Sequence, residues 1–97
     1  MIAAELLARI ELAGGDAARA ERLLRDALAH QQRTSPDNDW RLAATRSTLA
    51  EALLRRGAYR EATPLLESAS RILRDVPGRQ GREAAATRAR LALVARH

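Results

Sequence analysis

The 97-residue sequence contains no cysteine, no lysine and no phenylalanine, and it has a single tryptophan and a single tyrosine. The lack of cysteine excludes disulfides, thiol chemistry and cysteine-ligated zinc. Because aromatic residues are so scarce, leucine, isoleucine and alanine must fill the interior of one small domain. Alanine and leucine favour helices, whereas sheets favour aromatic and β-branched residues, so the composition predicts close helix–helix packing.

Long apolar runs are also missing. No segment approaches the roughly 18 apolar residues that a membrane-spanning helix needs. The first five residues, Met1 to Glu5, lack the basic start and apolar stretch of a secretory signal. We therefore expect a cytoplasmic protein that makes no use of a membrane.

Constellations of catalytic or metal-binding residues are absent from the sequence. His30 and His97 are the only histidines, and they stand far apart. The segment from Asp37 to Asp39 resembles the start of a calcium loop, but Leu42 and Thr48 occupy the positions that require glycine and glutamate. No glycine-rich phosphate loop, no serine–histidine pair and no paired carboxylates in an apolar setting are found. The sequence thus predicts a non-enzyme with no cofactor and no metal.

The formal charge is +5, and arginine supplies all of the basic side chains. Two basic stripes would suit phosphate groups. They comprise Arg19, Arg22 and Arg25, and then Arg71, Arg74, Arg79 and Arg82. Carboxylates interrupt both stripes, and no exposed aromatic residues are available to stack on bases. A solvated, ion-paired surface is the preferred interpretation, with a nucleic-acid-binding accessory protein as an alternative.

An internal repeat of 42 residues organises the chain. When Gly15 is placed over Gly57, the leucines and alanines of the first half fall on leucines and alanines of the second. The same offset places residues 43–50 over residues 85–92, and six of the eight positions are identical. This periodicity predicts repeating units at about 1–36, 37–78 and 79–97.

Each unit is predicted to contain two helices joined by a tight turn. In the first helix, Leu6, Leu7 and Ile10 form an apolar stripe at helical spacing. Gly14-Gly15 should end this helix, and Asp16 should cap the next one. The second unit repeats the plan, with helices predicted over about 40–56 and 59–74 and Gly57 at the turn. The third unit begins near Arg82 and supplies only one helix.

The small and large positions of this pattern resemble those of tetratricopeptide repeats. The positions are Leu7-Ala8, Gly15, Ala20 and Ala27, then Leu49-Ala50, Gly57-Ala58-Tyr59, Ala62 and Ala69. The 42-residue period resembles the long-helix variant of kinesin light chains and bacterial repeat proteins. The segment Asp39-Trp40-Arg41-Leu42-Ala43, with Arg46-Ser47 and Leu49, is similar to the repeat arrays that follow bacterial serine/threonine kinase domains. No kinase catalytic motif is present.

The resemblance implies an all-α fold: a short right-handed α-solenoid of stacked antiparallel helix hairpins, with five helices in about two and a half units. That number is below the roughly three units that usually make a stable stack. The resemblance also implies a protein–protein interaction scaffold. A peptide or protein partner would bind the concave face formed by the first helix of each unit. We expect that face to present Ile2, Glu5, Arg9, Leu12, Ala44, Ser47, Glu51, Leu54, Ala89, Leu93 and Arg96.

The unpaired last helix raises a second possibility. Leu91, Leu93 and Val94 need cover where a further helix would pack, which predicts either a self-association (homodimer) module or a regulatory part of a longer bacterial repeat protein or kinase.

Overall fold

Five α-helices follow one another along the chain in the computed structural model, which describes residues 4–74 and 81–96. They are α1 (Ala4–Ala13), α2 (Ala17–Thr34), α3 (Trp40–Arg55), α4 (Tyr59–Arg74) and α5 (Gly81–Ala95). The described residues contain no strand, so the all-α prediction is confirmed. Helix α4 has the predicted bounds, and α3 ends one residue earlier than predicted. The predicted boundary between the second and third units, at about 78, and Arg79 of the second basic stripe lie outside the described residues.

Both hairpin turns close with the same backbone geometry. Gly15 and Gly57 have φ angles of 90° and 78°, a region in which other residues are strained. After each glycine, the next amide donates to a carbonyl five residues back, Asp16 to Glu11 at 2.8 Å and Ala58 to Leu53 at 2.9 Å. This is the Schellman pattern, which satisfies carbonyls at the helix end. Its recurrence 42 residues apart shows that the sequence repeat is also a repeat of structure.

Aspartates are the N-cap residues of two of the helices. The Asp16 carboxylate accepts a hydrogen bond from the Arg19 amide at 3.0 Å, which confirms Asp16 as the N-cap of α2. Asp39 does the same for α3 through the Arg41 amide at 2.9 Å. Such caps typically contribute about 1 kcal/mol each, because they satisfy amides that have no partner inside the helix.

Helix α3 lies at the centre of the packing and contacts all four other helices. Ten of its residues are buried, whereas each of the other helices buries between one and four. The main core joins Leu49 and Leu53 of α3 to leucines and alanines of α1, α2 and α4, among them Leu12, Leu24 and Leu66. A smaller cluster unites Ala43 of α3 with Ala69 and Leu73 of α4.

The apolar stripe predicted on the first helix does not face the core as a whole. Leu6 and Ile10 are 53% and 54% exposed, and the buried residues of α1 are Ala8 and Leu12. The helix packs on α2 and α3 through the side that carries Ala8 and Leu12. Helical spacing identifies two apolar faces on α1, and only one of them has described neighbours to cover it.

Candidate functional site

The first helices of the three units, α1, α3 and α5, lie side by side, with α3 in contact with both of the others. We call their shared surface the inner face. Polar side chains connect the three helices across it. The Thr48 hydroxyl of α3 donates to the Glu5 carboxylate of α1 at 3.2 Å. On the other side of α3, the Ser47 hydroxyl forms a buried hydrogen bond of 2.6 Å with the Thr87 hydroxyl of α5.

Glu51 is the centre of the charged contacts on the inner face. One carboxylate oxygen accepts from Arg55 at 2.9 Å, and the other accepts from Arg90 Nε at 3.0 Å. Arg90 also donates to the Ser47 hydroxyl at 2.7 Å, and its side chain is only 15% exposed. Arg55 reaches α1 and donates to the Leu12 carbonyl at 2.5 Å. These contacts fix the positions of two guanidinium groups between helices.

Arg9 of α1 pairs with two carboxylates, Glu5 on its own helix at 3.1 Å and Glu83 at the start of α5. Burial alone would lower the pKa of Arg9. The hydrogen bonds and negative charges of Glu83 and Glu5 outweigh that effect and raise the pKa above its ordinary value. Arg9 therefore stays charged and connects the first unit to the third across the edge of α3.

Two adjoining hollows form a groove along this face, which we call the inner groove. The first has a volume of about 350 Å³ and includes the apolar side chains of Leu54 and Leu93. The second has a volume of about 310 Å³ and includes Arg9 and Arg82. Glu51, Arg55 and Arg90 line both hollows, so the two hollows meet at this ion-paired group. Its two ends differ in character, one largely apolar and the other rich in arginine.

The structure brings together several of the residues predicted to line such a groove. Arg9, Glu51, Leu54 and Leu93 line the two hollows, and Glu5 borders them through its contact with Arg9. Ala89 and Arg96 are exposed but line neither hollow.

Other predicted residues do not present an open surface. Leu12, Ala44 and Ser47 are buried, because α1 turns Leu12 into the core and α5 covers Ser47 through Thr87. Leu12 reaches the groove only at its floor. Ile2 lies outside the described residues.

The three residues proposed for self-association also differ in how far they are exposed. Leu91 and Val94 pack against the main core, and Leu93 remains 48% exposed. Helix α5 thus finds cover on α3 and α4 for two of its three large apolar side chains. Leu93 is the most exposed of the three, and Leu91 and Val94 are partly buried.

Arg55, Arg90 and Tyr59 line the inner groove and were missed from the sequence. For Arg90 a signal was present. The 42-residue offset places Arg90 over Thr48, one of the two departures from identity between residues 43–50 and 85–92. A charged residue that interrupts an otherwise preserved helix repeat marks a position with a role of its own.

A second groove, of about 380 Å³, lies between α2 and α4 on the opposite side of α3. Leu28, Leu49 and Leu65 line it, and an ion pair between Arg25 and Glu61 spans it. Arg25 also pairs with Glu21 at 2.9 Å. The arginine stripe predicted on this helix is therefore partly neutralised, as expected for an ion-paired surface.

Residues 4–74 and 81–96 contain no cluster of three or more histidine, aspartate or glutamate side chains arranged to hold a metal ion. Of the helices described, none combines the length and hydropathy that a bilayer crossing requires.

Comparison with known proteins identifies the family of this chain. No curated protein matches the chain, but a family model does. The family model described as tetratricopeptide repeat matches residues 1–75, which include both complete hairpins. With the repeated turns and the stacked hairpins already described, this match over most of the sequence shows that the chain belongs to the tetratricopeptide repeat family.

Proposed function

We propose that this protein is a non-catalytic interaction scaffold that binds a segment of a protein or peptide partner in the inner groove. Tetratricopeptide repeats generally mediate contacts between proteins, so the family supports the class of function. The observation that supports the location is the pair of adjoining hollows that α1, α3 and α5 form together with Tyr59 of α4.

The groove has dimensions and chemistry that suit such a partner. Each hollow is comparable to the smaller ligand pockets of proteins, which begin at about 300 Å³. Leu54 and Leu93 offer an apolar contact at one end, while Arg9 and Arg82 offer hydrogen-bond donors at the other. The ion pairs of Arg55 and Arg90 hold the walls in place before a partner arrives, which lowers the entropic cost of binding.

Selection from a random peptide library on the immobilised chain tests this proposal. Selected peptides should bind the unchanged chain and lose affinity for Leu93→Glu and Arg55→Ala, two variants of the inner groove. Arg22→Glu, an exposed position on α2, is the matched control and should bind as the unchanged chain does. The proposal fails if selected peptides bind all of these proteins equally, or if none binds better than it binds an unrelated helical protein.

The long-period variant is part of the same proposal. Helices of 16 and 18 residues leave room for a 42-residue unit, which supports the kinesin-light-chain-like variant and units at about 1–36, 37–78 and 79–97. A place in a longer bacterial repeat protein or kinase, and a cytoplasmic location, stay predictions. The mass of the native gene product tests the first of these.

Self-association through α5 stays an alternative, carried by the exposure of Leu93. Light scattering of the chain at high concentration distinguishes it from the scaffold proposal, because a strictly monomeric chain rules it out. Nucleic-acid binding stays the second alternative, and absence of binding to DNA or RNA even at low salt would eliminate it.

A further inference from the structure

The outer side of α5 is a helix face without a partner in the described structure. Ala85, Ala89, Ala92 and Arg96 are exposed and follow one another at spacings of four, three and four residues, which places them on one face. Arg82 and Arg88 are exposed on its two flanks. We call this surface the outer face of α5.

The repeat shows how the equivalent face is used inside the molecule. Forty-two residues earlier, α3 carries Ala43 and Ala50, which are completely buried, and Ser47, which is buried by Thr87 of α5. Ala43 packs with Ala69 and Leu73 of α4, and α3 and α4 form the most extensive helix pair. The position that α3 uses to receive α4, Ala43, is thus occupied in α5 by exposed Ala85, and small side chains at Ala89 and Ala92 beside it let another helix approach closely.

An arginine in α3 indicates where Arg88 would point. Arg46 is the equivalent of Arg88, and its guanidinium donates to the Ser68 hydroxyl of α4 at 3.2 Å. A helix packed on α5 in the same way would come within reach of Arg88. That helix would need acceptors at this position, and a carboxylate would make the stronger, charge-assisted bond.

The charge of the outer face is of one sign. Arg82, Arg88 and Arg96 form no ion pair with the described residues. The single glutamate of α5, Glu83, lies on the opposite side and pairs with Arg9. Two copies of α5 placed face to face would bring these arginines together, and like charges at an interface are unfavourable. An acidic partner is complementary to this face, and a second copy is not.

We propose that the outer face of α5 binds an acidic amphipathic helix of a partner protein, packed as α4 packs on α3. The structure supplies the apolar pattern of such a helix. Helix α4 buries Ala62, Leu66, Ala69 and Leu73, at spacings of four, three and four residues, so small and large side chains alternate along the contact. The flanking positions of the partner helix carry glutamate or aspartate. This surface meets the inner groove at Arg82, which also lines the second hollow, whereas Ala85, Ala89 and Ala92 line neither hollow.

Helix α4 itself provides the probe. A synthetic peptide of residues 59–74 has Pro64 replaced by alanine, to favour an isolated helix, and Arg60, Arg71 and Arg74 replaced by glutamate. The comparison peptide has the alanine replacement only, so it keeps the same apolar pattern with a basic surface. Fluorescence anisotropy measures the binding of both to the full 97-residue chain at low and moderate salt.

We expect the acidic peptide to bind more tightly than the basic one, by roughly tenfold or more at low salt. Ala85→Trp fills the position equivalent to Ala43 and should abolish binding. Arg88→Glu should weaken the acidic peptide and strengthen the basic one, a reversal that loss of folding does not produce. Arg55→Ala, in the inner groove, and Arg22→Glu, on α2, are controls that should leave the binding unchanged.

Circular dichroism and sedimentation of each variant complete the test, because Ala85 is exposed and its replacement should preserve the helix content. The proposal is overturned if the acidic peptide fails to bind or if Ala85→Trp binds it normally. It is also overturned if the chain alone forms a dimer that Ala85→Trp dissociates, since the occupant of the face is then a second copy.

Discussion

The buried hydrogen bond between Ser47 and Thr87 connects α5 to α3, and its removal is the sharpest test of how the last helix is held. The two hydroxyls are 2.6 Å apart, and Arg90 also donates to the Ser47 oxygen at 2.7 Å. Thr87 makes a second bond, to the Glu83 carbonyl at 2.8 Å. Each partner therefore belongs to a small buried network, and the two single substitutions are not equivalent.

Ser47→Ala should be the more costly change. It removes the acceptor of one Arg90 nitrogen, and that side chain is only 15% exposed, so water replaces the lost bond poorly. Leaving a buried donor without a partner costs about 1–3 kcal/mol, and we expect a loss in the free energy of unfolding of about 2 kcal/mol. Thr87→Val leaves Ser47 with its arginine donor, so we expect a smaller loss in the free energy of unfolding, of about 1 kcal/mol.

Urea unfolding followed by circular dichroism measures both losses, and the double variant completes a thermodynamic cycle. Because the two residues are in direct contact, the cycle should show a coupling free energy of about 0.5–1.5 kcal/mol. A loss of 1 kcal/mol corresponds to a fall in the thermal midpoint of about 4–8 °C in a chain of this size. Strict additivity, or a Thr87→Val loss larger than that of Ser47→Ala, would refute this description of the α3–α5 contact.

Three further predictions concern the core, the turn and the charges. Leu66→Ala, in the centre of the core, should lower the free energy of unfolding by about 2–5 kcal/mol in urea titrations, because a cavity remains. Gly57→Ala should lower the free energy of unfolding, measured in the same titrations, by about 1 kcal/mol or more, since alanine is strained at the φ angle of 78°. Burial alone would raise the pKa of Glu21, but hydrogen bonds from Arg25 and Arg56 lower it below its ordinary value. Its contribution to stability is therefore present at neutral pH and is lost as the pH falls below about 4.5 and through the folded-state pKa, so Glu21→Gln should flatten that part of the stability curve.

Each of these predictions has a matched control. Leu6→Ala, at an exposed position of α1, should cost much less than Leu66→Ala, and equal losses would contradict the assignment of the core. Gly14→Ala should be nearly neutral, because its φ is not positive and a Cβ atom there meets ordinary contacts at 3.6 Å. For the pH dependence, Glu67→Gln is the matched control, because Glu67 lies on the exposed side of α4 and has no ion pair among the described residues. An unchanged curve for Glu21→Gln would contradict the role of its two arginines.

Local chemistry made the helices predictable. Gly15, Asp16 and Gly57 act within one or two turns of their own positions, through backbone hydrogen bonds that the nearby sequence specifies completely. The 42-residue repeat then predicted equivalent boundaries in the second unit, which is why the bounds of α4 were predicted correctly.

The inner groove was predicted only in part, because its walls come from contacts between distant residues. Glu51 and Arg55 are one turn apart, but Arg90 joins them from 39 residues away. Ser47 was expected to be exposed because its position on the helix faces the groove side. It is buried because α5 returns to that side and places Thr87 on it.

The sequence by itself determined that the chain is helical, where its helices end and that two hairpins repeat, because these properties arise from interactions short in sequence. Which helix faces are covered was decided only by the tertiary structure. Leu6 and Ile10 have the spacing of core residues and lie exposed, since the described chain provides no helix to cover them. Ala43 and Ala85 occupy the same repeat position, and one is buried by α4 while the other is exposed. A residue's type and spacing specify the face on which it lies, and the neighbouring helices alone specify whether water reaches it.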